Sequence, residues 1–313
     1  MDENFHQSKK LSKEKQIELM QKSDHPAIAR FVLMYVLFLG ICVWTVISWN
    51  STWWEFALSQ LSFGVMCCSL FASLHETAHN TAFQSRSLNQ IAAILAGTAH
   101  LYPATAFREL HFMHHRHTHI PGLDPEISLG TKPAPLIIGS LPIYFSWLTG
   151  LPFLIFKTVM ILMGTIGMPE WIRKRVYPFV HSKVRWSLAL DSGFVLLVHL
   201  VLLYFALFIN PDFWALFTGQ VVGHCLLASY LTPEHNGLPH EGDILNKTRS
   251  FGVNKLVKLL MWNMPYHAEH HAYPAVPFHA LPKLHEEIKE ELKYKNQKHL
   301  EFHLNVLSGK RNS

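Results

Sequence analysis

The chain has 313 residues, 49% of them hydrophobic and only 16% charged, with a formal net charge of +5. Globular domains carry about 25% charged residues, so this composition excludes disorder, collagen and coiled coil and leaves more apolar surface than one core can hide. The four cysteines (Cys42, Cys67, Cys68, Cys225) lie in apolar runs without a C-x-x-C pair, which excludes a disulfide-stapled module, zinc ribbons and cysteine-held clusters.

In chain order, residues 1–27 are a polar tail with Lys9, Lys10, Lys13, Lys15 and Lys22 and no small-residue cleavage site, hence no cleaved signal peptide. A first membrane span is predicted at residues 28–48, whose helical rise of about 31 Å crosses a hydrocarbon core of about 30 Å. A second runs over 55–74. Residues 88–106 are apolar but contain Gly97, His100 and Pro103, and read as a re-entrant or interfacial segment. Residues 134–168, broken by Pro142 and Pro152, read as an interfacial helix pair or a deep hairpin. Two further spans, 187–209 and 212–231, are separated by Asn210, Pro211 and Asp212. Leu281, Leu284, Ile288 and Leu292 recur at helical spacing among Glu and Lys, which predicts an amphipathic helix on the membrane surface or on the protein.

The resulting fold class is an all-α integral membrane protein. About four transmembrane helices combine with interfacial or re-entrant helices and a cytoplasmic helical cap. The expected organisation is a tail over 1–27, a membrane domain over 28–285 and an amphipathic, basic tail over 286–313. Basic residues cluster in the N-terminal tail, at Arg173, Lys174, Arg175, Lys183 and Arg185, and from Lys247 to Arg311, whereas the two tight turns have none. The positive-inside rule therefore puts both termini in the cytoplasm. The net charge reads as topology and attraction to anionic headgroups, with no nucleic-acid partner.

The 22 histidines equal Asp and Glu together. His75 and His79 are spaced i, i+4 at the end of the second span. His111, His114 and His115 form H-x-x-H-H after the re-entrant segment, and His267, His270 and His271 repeat it after the last span. Positions i, i+3 and i+4 share a helix face, so each group points imidazoles at one place, all on the predicted cytoplasmic side. Eight such histidines exceed one zinc site. Imidazole suits iron, zinc, copper and nickel alike; two ions with exchangeable positions fit oxygen activation, and iron is the favoured reading.

The sequences HETAHNTAF (His75 to Phe83), H-x-x-H-H (His111 to His115) and N-x-x-Y-H-x-E-H-H-x-Y-P (Asn263 to Pro274) together resemble the membrane fatty-acid desaturase superfamily. They are most similar to the dihydroceramide desaturase branch, and the last run also to carotenoid ketolases. Gly122, Asp124, Pro125 and Glu126 resemble a G-x-D-P-E element of bacterial members. The resemblance implies a non-haem di-iron oxygenase with its histidine boxes facing the cytoplasm, two iron ions as cofactors and O2 as co-substrate. It also implies one further ligand about thirty residues before the third box, a place that His235 fits. Stearoyl-type members carry an Asn one turn before that His to support a metal-bound water; Leu231 stands there in this chain, leaving Glu234 or Asn263 to substitute.

Carboxylates near the boxes (Glu76, Glu109, Asp124, Glu234 and Glu269) are candidates to accept N–H from ligand histidines and fix their tautomer. Trp262, Tyr266 and Tyr273 read as site walls or interface anchors. His100, His117, His119, His199 and His224 are secondary candidates, with helix-packing hydrogen bonds sufficient for the last two. The chain carries no electron-transfer module, which implies a ferredoxin or a b-type cytochrome with its reductase, docked by Lys247, Arg249, Lys255 and Lys258.

The expected function is desaturation of a fatty-acyl or sphingoid-type chain held in the bilayer. Hydroxylation or ketolation of a lipid or carotenoid by the same centre is the alternative. A remote third reading is an intramembrane zinc protease using His75, Glu76 and His79 as H-E-x-x-H.

Overall fold

The structure is a computed structural model that describes residues 11–310; Lys9, Lys10 and Arg311 of the expected tails lie outside the described residues. Helices α1 (Lys13–Leu19), α2 (Asp24–Ile47) and α3 (Trp53–Ala78) are followed by α4 (Arg86–Ala99) and α5 (Ala104–His117). A two-residue hairpin pairs Ser128 with Pro133 and Leu129 with Lys132. Then come α6 (Leu141–Leu148), α7 (Leu151–Thr165), α8 (Glu170–Arg175), α9 (Arg185–Tyr204) and α10 (Trp214–His235). The chain closes with α11 (Ile244–Lys247), α12 (Lys255–Leu260), α13 (His267–Ala272), α14 (Leu281–Ile288) and α15 (His299–Leu307).

Three helical stretches, Lys13–Ile47, Trp53–Ala78 and Ser182–Ile209, are long and apolar enough to cross a membrane. The α6–α7 pair reaches the same standard as one broken span, bent by 57°. Helix α10 forms where the fourth span was expected, but it is more polar because other helices enclose it: Gln220, His224, Thr232 and Glu234 are all buried. It packs against α3 at small residues. A Cβ on Gly219 would sit 2.6 Å from the Phe63 ring, so only glycine permits this approach. The two tight turns lie side by side, joined by Asn50 Nδ2 donating to Asp212 Oδ1 at 2.7 Å, at the opposite end of α3 from its histidines.

Residues 88–106 form a helical hairpin with α5. Helix α4 leaves the end of α3 and reaches inward until Ala99, whose carbonyl accepts from Gln220 Nε2 at 2.8 Å. Lys157 donates to the His100 carbonyl at 3.4 Å and to His224 Nε2 at 3.3 Å, so buried carbonyls at the helix end find partners. Leu101 adopts φ +54° and Pro103 precedes α5, which reverses the chain. Asp191 of α9 accepts the Thr105 amide at the start of α5, a charge suited to a helix N-terminus. The hairpin therefore returns to the end of α3 from which it left.

Neither terminal stretch stands apart among the described residues. Leu11 and Leu19 are buried with Ile244, Ala268, Leu281, Leu284 and Ile288, so α1 and α14 cover the segment bearing the third histidine group. Phe302 and Val306 of α15 are buried against Ile138 and Tyr144. The polar composition around them hid Leu11, Leu19, Phe302 and Val306, whereas Leu281, Leu284, Ile288 and Leu292 are buried as their helical spacing implied.

Candidate metal centre

At one end of the helices, side chains from α3, α5, α10 and α13 converge. One ligand atom from each of His75, His79, His111, His115 and His270 lies within 4.8 Å of the others. A second group on the same criterion contains His114, His235 and His271. His267 adjoins it, with its Nε2 2.9 Å from His235 Nε2 and its ring 4.5 Å from that of His271. The groups touch where the His115 and His271 rings stack at 4.1 Å.

The spacing inside each group fits a metal better than hydrogen bonding. The Nε2 atoms of His79 and His111 are 2.8 Å apart, those of His111 and His115 3.1 Å, and those of His115 and His270 3.2 Å. A ring nitrogen carries either one hydrogen or one in-plane lone pair, so His111 Nε2 cannot serve both neighbours. Nitrogens bound at about 2.0–2.1 Å to one ion lie about 3 Å apart from each other. His271 Nε2 is buried with no hydrogen-bond partner. Burial pushes His111, His115, His267 and His271 well below the ordinary histidine range and His270 to about 3, so their lone pairs are free of protons.

His114 is the exception. Burial opposes its protonation, but Asp124, Glu126 and Glu234 outweigh that and lift it to about 9. Its Nδ1–H donates to both Asp124 oxygens at 3.0 Å, which leaves Nε2 facing the second group. Asp124 also accepts the amides of His119 at 2.7 Å and Glu126 at 2.9 Å, so the turn after α5 wraps its carboxylate. His235 is fixed differently: its Nδ1–H donates to the Lys247 carbonyl at 2.8 Å.

The other expected outer groups have different partners. Glu76 accepts from Thr81 Oγ1 at 2.6 Å and from the Phe278 amide at 3.0 Å, while Asn263 donates to the Phe278 carbonyl at 2.9 Å. Glu269 points away from the clusters to Ser250 and His285. Glu109 accepts the His181 amide. Glu234 is 3.7 Å from His267 Nδ1, too far for a hydrogen bond. Chain connectivity explains the differences: the carboxylates sit beside ligand histidines in sequence, but helical turns aim neighbouring residues apart.

His119 bonds the Pro239 carbonyl, and His199 its own helix at Val195. His100 and His224 stack on each other beside Lys157, outside both groups. Trp262 is buried against Phe278, and the Tyr266 hydroxyl accepts from Lys258. Lys247 and Arg249, expected on a docking surface, are buried. Arg249 instead donates to the Pro233 and Asn236 carbonyls at the end of α10. No motif signals Arg249 or His285, because both act through chain-distant partners.

Fold and site together define a membrane protein with a histidine-lined site suited to metal. Comparison with known proteins supplies the rest: residues 51–303 match the family model for fatty acid desaturase, so the chain belongs to that family and is an oxidoreductase, a lipid desaturase. It is 24% identical over 274 residues to the sphingolipid delta(4)-desaturase of Schizosaccharomyces pombe, covering 86% of this chain and 72% of that one. The Candida albicans sphingolipid delta(4)-desaturase is 24% identical over 294 residues, covering 90% and 76%. The rat sphingolipid delta(4)-desaturase/C4-monooxygenase is 34% identical over 123 residues, covering 37% and 36%.

Proposed function

We propose that the chain desaturates a sphingoid-type lipid at a di-iron centre held by His75, His79, His111, His114, His115, His235, His267, His270 and His271. The observation that carries this is the convergence of nine imidazoles, from four helices, into two adjoining groups. When bound, two iron ions with O2 supply the oxidising power to take hydrogen from an unactivated C–H bond. The chain's own residues hold that site: Asp124 and the Lys247 carbonyl fix the His114 and His235 tautomers. The buried apolar surround excludes water and aligns a lipid chain.

The histidine end faces the cytoplasm on this reading, where the exposed Lys255 is available to an acidic donor, a ferredoxin or a b-type cytochrome with its reductase. The protease reading fails on Glu76, whose carboxylate is occupied by Thr81 and Phe278 and buried away from any general-base position. Hydroxylation stands as the second outcome, favoured because the rat relative is named a C4-monooxygenase as well as a desaturase.

Expression in a host followed by mass spectrometry of its lipids tests the reading. The expected result is a sphingoid chain lighter by two hydrogens and two irons per chain in the purified protein. A hydroxylated product assigns the second outcome; one zinc per chain sinks both.

A further inference from the structure

A cavity of about 200 Å³ lies between α7, the hairpin at 128–133 and the segment that follows α8, and no histidine lines it. Pro125, Leu129, Phe156, Val176 and Phe179 make its walls apolar, and Arg175 is the one charged residue among them. Sites for whole drug-sized ligands take about 300–1,000 Å³, so this cavity holds one segment of a chain.

Its walls are fixed by bonds of their own. Asp124 accepts the Glu126 amide and Ser128 Oγ accepts the Gly122 amide, both at 2.9 Å. Tyr177 donates to the Phe156 carbonyl at 3.2 Å, which ties α7 to the segment after α8. A Cβ on Gly130 would run into the Arg175 carbonyl oxygen, so glycine, here at φ +65°, lets the hairpin close onto α8. A cavity braced in this way needs little ordering to receive a ligand.

The surroundings indicate which ligand. Residues 175–179 lie just before Ser182–Ile209, a stretch apolar enough to cross a membrane. Trp171 and Trp186 flank them at 65% and 85% exposure, as interface anchors do. Arg173 and Lys174 share Glu170 at 2.7 and 3.4 Å, whereas the exposed Arg175 pairs with no carboxylate among the described residues. A soluble anion would use this guanidinium and leave the apolar walls bare, and an uncharged lipid would do the reverse. An acyl chain with an anionic headgroup satisfies both.

We propose that this cavity binds one anionic phospholipid of the bilayer, with part of an acyl chain against Leu129, Phe156 and Phe179 and the headgroup on Arg175. The site is separate from the histidines and does not depend on the reaction they support.

The test uses the full-length, metal-loaded protein in detergent, offered dioleoyl phosphatidylglycerol and dioleoyl phosphatidylcholine in equal amounts, with native mass spectrometry counting retained lipid. The wild type is expected to keep one lipid and to favour the anionic one about fivefold, the worth of one arginine near an anionic surface. Arg175→Gln is expected to keep one lipid without preference. Leu129→Trp fills the cavity and is expected to keep none, at wild-type metal content. If that variant loses metal, Val176→Trp fills the cavity from the other wall and decides instead. No preference in the wild type, an intact preference in Arg175→Gln, or a lipid retained by the filled variant overturns the proposal. So does one-for-one displacement by N-acyl sphinganine, which would make the cavity a substrate groove.

Discussion

Glu76 and Asn263 grip the two backbone groups of the same residue, Phe278. Glu76 accepts the Phe278 amide and Asn263 donates to the Phe278 carbonyl. The first and third histidine runs are thus locked to one segment after α13. Asn263 reaches it with φ +61°, a conformation asparagine tolerates better than most residues.

Glu76→Ala leaves the Phe278 amide and the Thr81 hydroxyl unpaired in a buried place, a loss of about 2–4 kcal/mol. Thermal inactivation and metal content fall together on this account. Glu76→Gln keeps an oxygen that accepts both bonds and retains most activity. A general base at this position would instead lose everything on that conservative change.

Asp124→Asn removes the charge that fixes the His114 ring and one of its two acceptor oxygens. Loss of such a partner typically costs 10- to 100-fold in metal affinity. Metal titration of the purified protein reads this directly, with His199→Ala as the control, since that ring bonds only its own helix.

The histidines were legible in sequence because their chemistry and their helical spacing coincide. His75 and His79, or His111, His114 and His115, must share a face wherever the helix lies. Of the carboxylates, Asp124 alone was legible, from its place in the G-x-D-P-E run. Of Glu76, Glu109, Asp124, Glu234 and Glu269, only Asp124 hydrogen-bonds a clustered histidine among the described residues. Which acid meets which ring depends on turns such as the one that folds Asp124 back under α5. His235 escapes any acid-based search, because its partner is a backbone carbonyl and every residue has one. The buried α15 was hidden for another reason: Phe302 and Val306 are too few to outweigh the polar residues around them.

Arg249 ties the carbonyl end of α10 to the segment whose Lys247 carbonyl holds His235, and its guanidinium lies 5.1 Å from the Phe302 ring. Arg249→Ala frees two buried carbonyls, and a loss of about 1–3 kcal/mol is expected. Metal bound through the second group should fall more than metal bound through the first. Arg249→Lys keeps the charge but not the fork and lands between the two. Metal stoichiometry measured beside thermal inactivation separates the local effect from general unfolding.

The metal-free protein should be most stable near neutral pH, for two opposed reasons. His114 is raised to about 9 in the folded chain against about 6.5 unfolded, so its stabilisation is complete below pH 6.5 and disappears as pH rises through 9. His119 and His299 are lowered to about 4, chiefly by burial. The unfolded chain therefore takes up their protons first, and stability falls from pH 6.5 toward 4. Metal flattens the alkaline arm, because a bound imidazole must give up its ligand-side proton, and steepens the acid arm, because protons displace the metal from the ligand histidines. Inactivation temperature across pH 4–10 should show a dome without metal. With metal, the fall above pH 7 should flatten while the acid side grows steeper. A metal-free profile with no alkaline decline would remove the charged His114–Asp124 pair from this account.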